Sequence, residues 1–199
     1  MKSFSVILGI LFTVFTMTAQ AASPKPSGYL SDYDRLVEGE YLEAWWVDMP
    51  AIERSKSPVV LLGDISPIKV KDHKGVSVEE AIAWLKADLL AGATVSDAAG
   101  DTPYRIDLAI SYMDPGSAAK RIWAGEFGAG HAQLQVEGIV TDVRNNTVVA
   151  EFAERRRSSG AIGIEDLGGD AGPHIIEHLV NLIADDIDSE LRASFRVLE

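Results

Sequence analysis

Apolar residues recur along this chain in two rhythms, and the change of rhythm separates its elements. Val59-Val60-Leu61-Leu62 is a continuous apolar run rich in β-branched residues, which predicts an interior strand buried on both faces. From Ser77 the spacing becomes helical: Val78, Ala81, Ile82, Leu85 and Leu89 share one face. Ser77 and Glu80 stand three apart as a capping box at its start, and Gly92 supplies the stop. A period of two then takes over. Tyr104, Ile106, Leu108, Ile110 and Tyr112 alternate with Arg105, Asp107, Ala109 and Ser111, the pattern of a half-buried strand. Two further strands are predicted over 132–143 and 147–156. Arg144-Asn145-Asn146 joins them in a tight hairpin, because asparagine tolerates positive φ. In the first of the two, the apolar phase slips near Gly138, from Leu134 and Val136 to Ile139, which predicts a bulge there. Helical spacing returns at the end of the chain, with Pro173 in the first turn and Ile176, Val180, Ile183, Ile187 and Leu191 on one face.

The resulting order, β-α-β-β-β-α, predicts an α+β fold: a mixed sheet of about four strands with two helices packed on one face. The N-terminus reads differently. Met1-Lys2-Ser3 precedes an apolar stretch from Phe4 to Met17, followed by Thr18-Ala19-Gln20-Ala21-Ala22. A positive start, a short apolar core and a small-x-small site describe a secretory signal peptide cut after Ala21. As a membrane span the stretch is too short, at about 21 Å against roughly 30 Å of hydrocarbon. The expected organisation is therefore a signal over residues 1–21, a leader and aromatic arm over 22–44, and one α/β domain over 45–199. In and just beyond the arm stand Tyr29, Tyr33, Tyr41, Trp45 and Trp46, an apolar load that must pack on something.

Charge and cysteine content narrow the functional classes. The formal net charge is −12, and loss of the signal removes a lysine and no acid. Such a carboxylate surplus argues against DNA, RNA or an anionic membrane surface as partners, since those attract basic patches. Arg155-Arg156-Arg157 is too short for a nucleic-acid footprint, and on a strand its members point to alternate faces. Cysteine is absent. The fold must hold without disulfides, and the lipid-bearing cysteine of a lipoprotein is missing. The expected location is the periplasm or beyond, without stable membrane insertion.

Three segments could carry chemistry. His174-Ile175-Ile176-Glu177-His178 matches the H-x-x-E-H pattern in which two histidines bind zinc and the glutamate is the base. Histidines four apart on a helix share a face, but Asp185 lies about 10 Å along the axis, too far to share the ion. His174 also sits in the first turn, where the helix dipole disfavours a cation. Gly125-Glu126-Phe127-Gly128-Ala129-Gly130 offers glycines for a phosphate cradle, yet a strand follows, so no helix N-terminus meets the anion. The glycine-rich stretch 160–172 holds Glu165, Asp166 and Asp170 without the alternating oxygen ligands of an EF-hand. No catalytic residue, cofactor or resident metal is assigned on these grounds; His174, Glu177 and His178 are the metal candidates.

Ser27-Gly28-Tyr29-Leu30-Ser31-Asp32-Tyr33, followed by Leu36, resembles the opening signature of an uncharacterised Gram-negative envelope family, domain of unknown function 3313. Trp45 to Pro50, Ile65 to Pro67 and the Ser77 helix recur in that family's order. Pro115-Gly116-Ser117-Ala118-Ala119-Lys120-Arg121 and the segment from Ala124 to Gly130 are similar to a related family, domain of unknown function 4410. The resemblance implies an envelope protein, commonly a lipoprotein, with no catalytic residue to carry over. The chain departs from it in having no lipobox cysteine.

Three readings follow. The first is a non-catalytic envelope module that binds a protein partner or itself. The second is a small exported metal-dependent hydrolase using His174, Glu177 and His178, and the third a small-ligand carrier. The export reading has its own test: the intact mass of periplasmic protein should correspond to a chain starting at Ala22. A mass retaining residues 1–21 overturns it.

Overall fold

The computed structural model describes residues 19–21, 23–55, 58–73, 75–98, 102–117, 131–158 and 171–196. Its strands are β1 (Ala19–Ala21), β2 (Ala44–Val47), β3 (Val60–Pro67), β4 (Val95–Ser96), β5 (Tyr104–Asp114), β6 (Gln133–Asp142) and β7 (Thr147–Ser158). Among the described residues the α-helices are α1 (Val78–Ala91) and α2 (Ala171–Phe195). All seven strands join one mixed sheet in the order β4-β3-β5-β6-β7. β3 runs parallel to β4 and β5, and β5, β6 and β7 form an antiparallel meander. β2 and β1 lie end to end along the free edge of β7, against Ala150–Ala153 and Arg156–Ser158.

The predicted order survives as β3-α1-β5-β6-β7-α2, and the α+β class with it. The strand number does not: among the described residues six strands lie between Ala44 and Ser158, and β1 makes the seventh. The additions are short. β4 is two residues long, and β2 carries adjacent tryptophans that face opposite ways, so neither shows a period.

The core lies between the sheet and the helices. Ile106, Leu108 and Ile110 of β5, Leu134 and Val136 of β6 and Phe152 of β7 meet Leu85 and Leu89 of α1. Ile176, Val180, Ile183, Ile187 and Leu191 of α2 complete it, all fully buried. The capping box forms as read: Ser77 Oγ accepts from the Glu80 amide at 3.1 Å, and Glu80 Oε2 accepts from the Ser77 amide at 2.9 Å. At the hairpin Asn146 adopts φ +56°, the left-handed conformation expected of it.

Three local expectations need correction. Val59 is exposed rather than buried, and Leu61 and Leu62 are only half-buried, because two-residue β4 leaves most of β3 as an edge strand. The bulge is not at Gly138, which pairs in register with Leu108 and Phe152. Gly138 lies on the core face with Val136 and Val140, and the Phe152 ring occupies the space a side chain there would need. The irregularities fall instead between Ile110 and Tyr112 in β5 and opposite Val140–Thr141 in β7. The first transfers Tyr112 to the face away from the helices, while Met113 takes its place in the core.

Ile183 and His178 sit on opposite sides of α2, one buried and one exposed. Ile183→Ala should lower unfolding free energy by about 2–5 kcal/mol, and His178→Ala by less than about 1 kcal/mol. Denaturant melts of the two variants check this; equal losses would mean the helix faces are misassigned.

Candidate functional site

The face of the sheet turned away from the helices is covered by the arm. It carries Gln135 and Glu137 of β6, and Glu151 and Arg155 of β7, each at most 3% exposed. Half-buried strands place polar side chains on such a face expecting water. Here the chain from Lys25 to Arg35 excludes it, and the buried polar groups must find partners in the arm or, as Arg155 does with Gln133 and Gln135, in one another.

The arm first organises itself. The main-chain amides of Ser27, Gly28, Tyr29 and Leu30 converge on the Tyr33 hydroxyl oxygen, at 3.0, 3.1, 3.2 and 3.4 Å. Gly28, at φ +91°, supplies the left-handed residue that turns consecutive amides toward one point. The Tyr29 amide also reaches Ser27 Oγ at 3.1 Å, and the Asp34 amide reaches Asp32 Oδ1 at 2.9 Å. Residues 27–34 thus form a cassette closed largely by its own bonds.

The cassette then meets the sheet. Tyr33 donates its hydroxyl proton to Glu137 Oε2, which also accepts from Ser27 Oγ at 3.0 Å, and Glu137 Oε1 accepts from Gln135 Nε2 at 2.8 Å. Gln135 reads the arm's main chain as a strand would: Oε1 accepts from the Lys25 amide at 2.9 Å, and Nε2 donates to the Lys25 carbonyl at 2.7 Å. Glu151 accepts from Ser31 Oγ at 2.8 Å and pairs with the Arg35 guanidinium at 2.6 Å. That guanidinium lies 3.6 Å from the centre of the Trp46 ring, and Arg155 lies 4.5 Å from that of Tyr112. Leu30 is the cassette's one buried apolar side chain. Beside the seam, burial raises the Tyr29 hydroxyl to about 12, with the Asp107 and Glu137 carboxylates adding to the effect.

On the helix side, carboxylates staple other elements. Asp188 of α2 accepts from the Ala93 and Thr94 amides at 3.1 and 2.8 Å, fixing the α1–β4 turn. Glu190 accepts from the Tyr41 and Leu42 amides at 2.7 and 3.2 Å, fixing the approach to β2. Glu154 of β7 accepts from the Glu43 amide at 2.6 Å. Its other oxygen, which makes no hydrogen bond, lies 2.8 Å from Arg156 Nε, and Arg156 pairs on with Asp186 at 2.5 Å. Burial pushes the Glu154 carboxyl up to about 7, against the lowering effect of the Glu43 amide and Arg156. Asp186 is raised by burial too. As the alternation predicted, Arg155 and Arg156 serve opposite faces.

The metal candidates stand elsewhere. His174 and His178 are exposed on α2, with His174 Nδ1 3.7 Å from Glu177 Oε2. Among the described residues no three histidine or carboxylate side chains are grouped so as to hold a metal ion. Of the glycine segment only its lead-in, Pro115 to Ser117, is described, and Ala124 to Gly130 lie outside the described residues, as do Glu165, Asp166 and Asp170. The seam itself was not foreseen. Gln135, Glu137 and Glu151 alternate with core residues as solvent-facing positions do; the signal that could have found them was the hydroxyl-rich arm, which needed a polar surface to pack on.

Comparison with known proteins bears out one of the two family resemblances. Residues 86–163 match the family model described as Domain of unknown function (DUF4410), from the middle of α1 through β7. No curated protein matches the chain. Among solved structures it is similar to the PelC dodecamer of Paraburkholderia phytofirmans, with 12% identity over 90% of this chain and 99% of that one, at a TM-score of 0.39. CT253 of Chlamydia trachomatis gives 11% identity over 68% and 99%, at 0.44. Lipoprotein GNA1162 of Neisseria meningitidis gives 14% over 64% and 99%, at 0.34.

The position of Glu154 makes stability depend on pH. With its carboxyl raised to about 7 when folded and ordinary when unfolded, the folded chain holds the extra proton between roughly pH 4.5 and 7. That contribution is present in mild acid and is lost as pH rises through 7. Glu154→Gln keeps the shape and removes the titration. The variant's melting temperature should therefore gain on the parent's between pH 5 and pH 8; a difference that stays constant would mean that Glu154 titrates as an ordinary carboxylate.

Proposed function

We propose that this chain is an exported, non-catalytic module of the Gram-negative envelope that acts by binding protein, either a partner or itself. The use made of four of its buried carboxylates supports this reading. Glu137 and Glu151 accept bonds from the arm, Asp188 from the turn before β4 and Glu190 from the approach to β2, and all four tie layers of the fold together. A carboxylate poised for catalysis keeps a lone pair aimed at substrate and a pKa suited to proton transfer. These four are spent on main-chain amides, hydroxyls and cations of the protein itself; Glu154, whose second oxygen makes no hydrogen bond and whose carboxyl is raised to about 7, holds that oxygen 2.8 Å from Arg156.

The envelope setting rests on the signal-like N-terminus and on the resemblance of Ser27 to Tyr33 to the opening of domain of unknown function 3313. Among the described residues no helix is long and apolar enough to cross a membrane. In this reading, contact with other envelope components comes through protein surface. Val37, Tyr41, Met49 and Val143 are large apolar side chains left exposed, and they are the places where such contact gains most.

Photo-crosslinking in intact cells tests this, with a benzophenone amino acid at Tyr41, at Val143 and, as a control, at His174. Discrete protein adducts at Tyr41 or Val143 are expected. No adduct at either position overturns the binding reading. About one zinc per purified chain, lost in His178→Ala, would instead support the hydrolase that uses His174, Glu177 and His178.

A further inference from the structure

The arm is built as a plug and the sheet face as its socket. We propose that this plug also seats in trans, so that two copies of the chain exchange residues 23–35 and each covers the polar sheet face of the other. The inference rests on the binding reading above and names the partner as a second copy.

The first argument is pre-organisation. The cassette's shape is set mainly by bonds inside residues 27–34, above all the four amides on the Tyr33 oxygen. A segment already shaped loses little conformational entropy on docking, and the same plug fits the same socket whichever chain supplies it.

The second argument is the chemistry of the socket. Glu137 and Glu151 are fully buried, and a bare sheet face would leave both without the donors they have under the arm. An occupant must bring a hydroxyl pair to Glu137, a hydroxyl and a guanidinium to Glu151, and an extended main chain to Gln135. Residues 25–35 bring all of these, as Tyr33 and Ser27, Ser31 and Arg35, and Lys25. A second copy carries the same set.

The third argument is the hinge. The Val37 amide and carbonyl are bonded to Trp45 at 2.9 and 2.7 Å, so the main chain is tied to β2 at Val37, and the exchange needs a pivot just before it, at Leu36. Val37 is 66% exposed, and Tyr41 just beyond it is 43% exposed. A two-fold exchange brings both pivots to the symmetry axis and covers these apolar side chains there. The side-chain bonds across the seam are polar, and Leu30 is the cassette's one fully buried apolar side chain.

Because the chain lacks cysteine, a designed pair reports unambiguously. The mature Ser31→Cys/Glu151→Cys variant, treated with a short bismaleimide at micromolar concentration, should give a chain-to-chain product on a denaturing gel. The Tyr33–Glu137 contact is intact in that variant. A product of single-chain size overturns the exchange. If the unmodified mature protein still sediments as an assembly in that case, self-association stands and only the exchange falls. Should neither product form, Tyr33→Phe decides: the exchange requires its sedimentation mass to drop to that of one chain, and an unchanged mass overturns it. An unmodified protein that sediments as one chain at every concentration overturns the exchange as well.

Discussion

Glu137 stands where β6 has no wet side. β6 is the middle of the meander: Val136 and Gly138 face the helices, and on the other face Glu137 is fully buried beneath the arm. Dehydrating a carboxylate is expensive, several kcal/mol even after relaxation, unless donors replace the lost water. Tyr33, Ser27 and Gln135 are those donors. The arm is in this sense a condition of the sheet: without it Glu137 and Glu151 must be rehydrated or neutralised. The converse also holds, because the cassette's central tyrosine needs an acceptor for the proton that its ring of amides leaves pointing outward.

The two faces of β7 show how one strand serves both layers. Phe152 fills the space above Gly138 and touches Trp45, while its neighbours Glu151 and Ala153 look toward the opposite face. Further along, Glu154 and Arg156 reach α2 through Asp186, while Arg155 between them lies over Tyr112. A strand read this way cannot slip by one residue, since every charge would then meet the wrong layer. Register is thus held by electrostatics on both faces as well as by the apolar pattern.

How much of this was legible follows from what a linear pattern can encode. α1, α2 and the three long strands were readable because their periods persist over ten residues or more. β2 was not, since Trp45 enters the core while Trp46 lies under Arg35, and two neighbouring tryptophans look alike in sequence. Tyr112 misled for a related reason: it counts as apolar in an alternation, yet its ring serves a guanidinium beyond a bulge. The seam was the least legible part. A glutamate facing water and one buried under a distant segment occupy the same position in a period of two. Only tertiary structure separates them, because the partners lie 104 to 120 residues away.

Long-range ties of this kind answer a question that the composition poses, namely what holds the ends of a cysteine-free chain to its middle. Glu190 to the Tyr41 amide spans 149 residues, Ser31 to Glu151 spans 120, and Lys25 to Gln135 spans 110. Each closes a loop that a disulfide could close. A disulfide contributes about 2–4 kcal/mol and holds permanently in an oxidising compartment, whereas a hydrogen bond to a charged group contributes about 1.5–3 kcal/mol and opens thermally. Several such ties in parallel match a crosslink in strength without sharing its permanence. Their distribution is uneven. Glu190 and Asp188 anchor on a buried helix face beside Leu191, where the surrounding core resists separation. Glu137, Glu151 and Gln135 hold a cassette whose one fully buried apolar side chain is Leu30, so the bonds there carry much of the attachment. Among the described residues the attachment therefore changes character at the arm: apolar burial holds β2 and the strands and helices beyond it, while hydrogen bonds hold most of residues 25–35.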